Sequence, residues 1–135
     1  MPTLLAMLAV ALVARADGGR YTTTGDTVTD TATGLQWQVV SSNAQLKALY
    51  EAFDECENLT LRDFNDWRLP SPKELLSLQR DDGTFDPSLG APANPAAGYW
   101  SGTYSRDVNK AWIVRGDRMV RATTGPIAYV RCVRP

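Results

Sequence analysis

Asp66-Trp67-Arg68-Leu69-Pro70-Ser71-Pro72-Lys73-Glu74-Leu75-Leu76-Ser77-Leu78 is the stretch on which the reading of this chain turns. Ser71 stands where a helix N-cap belongs, Pro72 at the first helical position and Glu74 at the third, which is the pattern of a capping box. The serine oxygen can accept from an N–H that has no helical partner, the glutamate can reach back to the cap, and proline has no N–H to leave unpaired. Leu75, Leu76 and Leu78 give the helix an apolar side. Arg80-Asp81-Asp82-Gly83 is loop-like, so the helix is expected to stop near Gln79. Arg68, charged between two apolar residues just before the cap, is expected to be held by a carboxylate inside the fold.

Upstream, Leu46, Leu49, Tyr50, Phe53 and Cys56 recur at helical spacing and predict an amphipathic helix capped by Ser42 or Asn43. Its opposite face carries Lys47, Glu51, Asp54 and Glu55. Further upstream, Arg20 to Thr24 reads as a short β segment and Gly25-Asp26 can turn the chain. The β-branched Thr27-Val28-Thr29 and the alternating Leu35-Gln36-Trp37-Gln38-Val39, separated by Thr31-Ala32-Thr33-Gly34, give a hairpin signal. Downstream, residues 82–98 form a long stretch with Pro87, Pro92, Pro95, Gly90 and Gly98 that must be packed by its own side chains. Strands are then expected over Tyr99 to Tyr104, Ala111 to Arg115, Met119 to Thr123 and Tyr129 to Arg134. In the last, Val130 and Cys132 share one face while Tyr129, Arg131 and Val133 take the other. Strands, two helices, an irregular loop and more strands define an α+β domain with antiparallel sheet. Trp67, Trp100 and Trp112 are read as core fillers rather than as sugar-stacking platforms.

With 135 residues the chain has room for one domain, and an apolar content of 44% with 21% charged residues is an ordinary globular balance. Residues 1–16 read as a signal peptide: an apolar run of 11 residues from Leu4 to Ala14, then Ala14-Arg15-Ala16, a small-x-small cleavage pattern. The run is shorter than the roughly 20 residues of a membrane span. An uncleaved anchor or a misassigned start codon remains the alternative, because Met-Pro-Thr carries no basic side chain. No Cys follows the run, so no lipid anchor is expected. The mature domain is expected over residues 17–135, secreted, periplasmic or at the cell surface. Cys56 and Cys132 are the only cysteines, so their connectivity is unambiguous if they pair. An oxidising compartment favours the bond, and two buried thiols are the alternative.

Charge is asymmetric along the chain. Asp17 to Gly98 holds 13 acidic and 6 basic residues, whereas Tyr99 to Pro135 holds 7 basic and 2 acidic. Arg106, Lys110, Arg115, Arg118 and Arg121 lie in or beside the C-terminal β turns, and Arg131 is expected to join Arg121 on an outward face. Guanidinium clusters suit sulfate or phosphate groups through paired hydrogen bonds. The plainer reading is that these groups are solvated or pair with acidic residues of the same molecule. The chain has no His, which removes the usual general base and most zinc sites, so neither an enzyme nor a metal or other cofactor is expected. Asp81, Asp82 and Asp86 offer oxygens for Ca²⁺ without EF-hand spacing and are read as acidic loop residues. Arg115-Gly116-Asp117 is read as a turn rather than an integrin tripeptide, and Asn58-Leu59-Thr60 is a sequon that matters only in a glycosylating host.

Six blocks carry a resemblance: Val28-Thr29-Asp30-x-x-Thr33-Gly34-Leu35-x-Trp37, Cys56-Glu57-Asn58-Leu59, Asp66-Trp67-Arg68-Leu69-Pro70-x-x-x-Glu74-Leu75, Tyr99-Trp100-Ser101, Ala111-Trp112-x-Val114 and Tyr129-Val130-Arg131-Cys132-Val133-Arg134. In this order, over almost the whole mature chain, they resemble the domain family named for the C-terminal domain of the Legionella collagen-like adhesin. The third and last blocks also resemble the wider C-type lectin-like fold, in which a Cys ending the first helix pairs with one in the last strand. Cys56 and Cys132 hold those places. The resemblance implies an exported, non-enzymatic domain active in adhesion, with anionic or sulfated polysaccharide as partner. Formylglycine-generating enzymes share that broad fold, but they need active-site cysteines. A structural or protein-interaction subunit of a bacterial envelope or surface assembly is the alternative. No nucleic-acid partner and no membrane span after cleavage are expected.

Overall fold

In the computed structural model, residues 19–80, 84–104, 111–116, 118–122 and 127–135 are described, the side chains of 103–104 and 118–122 excepted. The leader assigned to residues 1–16 lies outside them. The chain forms β1 (Tyr21–Thr24), β2 (Thr27–Asp30), β3 (Gln36–Gln38), α1 (Leu49–Glu57), α2 (Pro72–Ser77), β4 (Tyr99–Tyr104), β5 (Ala111–Arg115), β6 (Arg118–Ala122) and β7 (Val133–Arg134). One sheet has the order β1-β2-β3-β7 and the other β4-β5-β6, with every pairing antiparallel. Two helices, antiparallel sheets and a Cys56–Cys132 disulfide make it the α+β domain expected from the sequence.

The hairpins follow the turn chemistry. Asp30 ends β2 fully buried, and both its oxygens accept from Arg20 at 2.7 Å. The Ala32 N–H and Thr33 hydroxyl, each at 3.0 Å, complete its shell. Burial alone would raise this carboxyl, but the Arg20, Ala32 and Thr33 hydrogen bonds outweigh it and hold the group below its usual range. At α2 the capping box is formed: Ser71 Oγ accepts from the Glu74 N–H at 3.1 Å, and Glu74 Oε1 accepts from the Ser71 N–H at 2.8 Å. Glu74 also takes both arms of Arg68, at 2.8 and 2.9 Å. That is the carboxylate expected for Arg68, although the pair lies at the surface and not inside the fold.

The first helix differs from its sequence reading. It starts at Leu49, behind an Ala48 cap whose N–H donates to Glu51 at 2.9 Å, and not behind Ser42 or Asn43. Lys47 is withdrawn from the helix because its backbone pairs with Ala128. The buried stripe is therefore Leu49, Ala52 and Cys56, with Phe53 half-buried beside it, and Tyr50 is 68% exposed. Leu46 lies before the helix and packs on a different cluster.

Two apolar clusters share the interior. One gathers Leu49, Ala52, Trp67, Leu69, Trp100, Ile113, Val130 and the disulfide; the other gathers Val28, Trp37, Leu75, Leu78, Leu89, Tyr99, Val114, Tyr129 and Val133. The register of β4 with β5 explains the division. Trp100 opposes Ile113 and Tyr99 opposes Val114, so alternate residues enter opposite clusters. The terminal segment divides the same way, Val130 and Cys132 to one cluster, Tyr129 and Val133 to the other. Both of its faces are thus internal. Arg131, expected outward beside Arg121, is instead fully buried. Trp67 and Trp100 are core as expected, whereas Trp112 is only half-buried.

Candidate functional site

Residues 84–98 leave α2, make two single-turn 3₁₀ segments at Pro87–Leu89 and Pro95–Ala97, and return to the sheet at β4. Between this segment and β4–β5 lies a cavity of about 430 Å³. Phe85 and Tyr99, stacked with centroids 5.7 Å apart, form an aromatic wall, and Pro95, Ala96, Val114 and Gly116 also line the cavity. A volume of that size suits a small ligand or one ring of a larger one.

Local sequence dictates this shape. Asp86 caps the first 3₁₀ turn, accepting from the Ser88 N–H at 2.9 Å, and receives Arg80 at 3.1 Å. Those contacts, besides the Ser88 hydroxyl, engage both Asp86 oxygens in holding the loop. Asp81 and Asp82, the other two candidate calcium ligands, lie outside the described residues. Gly98 has φ +81°, and a Cβ there would lie 2.6 Å from the Val114 carbonyl oxygen. Only glycine lets the second turn approach β5 so closely. On the far side, the Gln79 side-chain amide donates to the Gly116 carbonyl, tying the end of α2 to the β5–β6 turn.

Behind the aromatic wall sits Arg131. Its Nη2 donates to Tyr99 Oη at 2.9 Å and to the Gly90 carbonyl at 3.0 Å; its Nη1 donates to the carbonyls of Leu89 and, at 3.4 Å, Gln38. The guanidinium lies 4.8 Å from the Tyr99 ring centroid and 5.3 Å from that of Phe85. No carboxylate among the described residues pairs with it. Burial pushes its pKa down, against the opposing influence of Tyr99. Nothing local in Tyr129-Val130-Arg131-Cys132 marks Arg131 as internal. The available signal was the strand's position between two apolar clusters, which a linear reading does not contain.

The basic residues singled out from the sequence fare differently from one another. Arg106 and Lys110 lie outside the described residues. Arg115 is exposed at the end of β5, does not line the cavity, and its Nε donates at 3.2 Å to the carbonyl of Ala97, the neighbour of the lining residue Ala96. Register sets Arg118 opposite Arg115, and Arg121 opposite Trp112. By strand alternation the first pair belongs to the Ile113 face of the sheet and the second to the Val114 face. The strand pair thus brings three arginines together at one hairpin but on two faces. The Phe85–Tyr99 cavity beside it was not foreseen, because its walls come from residues far apart in sequence.

The sequence profile described as the Lcl C-terminal domain matches residues 26–134, so the chain belongs to that family, which is adhesin-associated and is not a known enzyme family. No curated protein matches the chain. Among the described residues no helix is long and apolar enough to cross a membrane.

Proposed function

We propose that this chain is an exported, non-catalytic binding domain, C-type lectin-like in arrangement and released by cleavage after Ala16, that recognises anionic, sulfated polysaccharide. The contact surface is the basic C-terminal part of the chain: Arg106, Lys110, Arg115, Arg118 and Arg121. The observation that carries the reading is the exposed Arg115 guanidinium at the end of β5, in the same strand pair as Arg118 and Arg121. An exposed guanidinium can fork onto a sulfate through two parallel hydrogen bonds. Membership of an adhesin-associated family supports the same reading.

The alternative, a protein-interaction subunit of an envelope assembly, has the exposed Tyr50 on the acidic face of α1 in its favour. A glycan array probed at low and at physiological salt separates the two. The polysaccharide reading expects signal on sulfated and carboxylated glycans, weakened by salt, and none on neutral ones. Uniformly blank arrays together with a stably co-purifying protein would overturn it.

A further inference from the structure

Arg131 carries a positive charge that no carboxylate among the described residues offsets, although it is fully buried. Such a charge is costly to bury, and carbonyl oxygens compensate it only in part. One of its nitrogens, Nε, is buried without a hydrogen-bond partner. The faces of Phe85 and Tyr99 lie against it, and these two rings are also the cavity wall. The charge therefore stands directly behind an apolar surface, where the low local dielectric lets its field reach further than it would through water. The only carboxylate in the cavity lining among the described residues, Asp86, is paired with Arg80 and does not cancel that field. Arg115, outside the lining but next in the chain to the lining residue Gly116 and hydrogen-bonded to Ala97, adds a second positive group nearby.

Resting on the polysaccharide reading, we infer that the cavity between residues 84–98 and β4–β5 is a subsite for one sulfated or carboxylated sugar ring. The ring body fills the space against Phe85 and Tyr99. Its anionic group lies toward Arg115, and Arg131 acts through the wall as a positioning residue that both fixes the two rings and favours negative charge in front of them. The basic hairpin then supplies affinity along a polymer, while the cavity selects a terminal or kinked unit of it.

The test uses the mature chain and two small probes, N-acetylglucosamine 6-sulfate and N-acetylglucosamine, followed by amide chemical shifts. The sulfated probe is expected to shift the amides of Tyr99, Val114 and Gly116 and to bind roughly tenfold or more tighter than the neutral one, a difference of about 1.4 kcal/mol. Ala96→Trp, at an exposed lining position, fills the cavity and should abolish both responses while leaving retention on heparin intact. Arg131→Gln, where it folds, should narrow the ratio between the two probes, a quantity that a purely structural role would leave unchanged. Equal affinity for the two probes, no shift at those three amides, or unaltered binding by Ala96→Trp overturns the inference. Monosaccharide binding without heparin retention would uphold the cavity site and remove the polymer reading instead.

Discussion

Breaking the Cys56–Cys132 bond should cost this domain a large share of its stability. The bond spans 76 residues, a loop that contains α2, the irregular segment and the whole β4–β6 sheet. In the chain-entropy account, closing a loop of that size removes about 4.5 kcal/mol of conformational freedom from the unfolded state. Both cysteines are buried in one apolar cluster, so replacing them with alanine adds only a small void. Against the roughly 5–15 kcal/mol that holds a typical domain folded, the loss is about three-tenths or more. The comparison is between the oxidised parent and Cys56→Ala/Cys132→Ala in urea at neutral pH, with free energies extrapolated linearly. We expect the variant to be less stable by about 3–5 kcal/mol, and to melt at a temperature lower by roughly 4 °C for each kcal/mol lost. A difference below about 1 kcal/mol, or two titratable thiols in the purified oxidised protein, would refute the assignment of this bond as the main covalent constraint on the fold.

Arg68→Ala should lower stability by about 1 kcal/mol without changing ligand binding, because it removes the fork on Glu74 while the capping box survives. A variant that melts like the parent but loses ligand would contradict that placement. Asp30→Asn should cost about 1–3 kcal/mol, since it replaces the buried carboxylate that accepts from both Arg20 nitrogens. The folded pKa values of Asp30 and Glu74 lie below their unfolded ones, so the stability these groups contribute is complete above their ordinary carboxyl range and is lost as pH falls through the lowered values. Acid titration of the melting temperature should therefore show a descent beginning near the ordinary carboxyl range that is shallower in Asp30→Asn. Gly98→Ala should destabilise by about 2 kcal/mol or more, given its positive φ and the 2.6 Å approach to the Val114 carbonyl; an unchanged melting curve would contradict the strain argument.

Much of the architecture was legible because it is local. The Ser71-Pro72-Lys73-Glu74 cap and the hairpin of β2 and β3 rest on residues within a few positions of one another, and they formed where the sequence placed them. The first helix was displaced because Leu46 and Leu49 fit one helical stripe in sequence, while a distant partner, Ala128, claims the backbone of Lys47 between them. Alternation in the last segment was read correctly, yet its consequence for Arg131 was not. Period-two geometry says which residues share a face; only tertiary packing says whether either face meets water. The same limit hid the cavity. Phe85, Tyr99 and Val114 meet through the path of the irregular segment, and composition alone indicated only that this segment must pack on itself.

The most direct test of the binding account is the salt dependence of affinity for a sulfated polymer, measured for the parent and for Arg115→Ser/Arg118→Ser/Arg121→Ser. Each anion neutralised by a bound cation releases condensed counterions, so three working arginines should make parental affinity fall roughly 20- to 40-fold between about 50 and 200 mM salt. The triple variant should bind far more weakly, lose most of that slope and melt close to the parent. An identical affinity and an identical slope in the two proteins would contradict the account, and the basic hairpin would then have no part in what this domain binds.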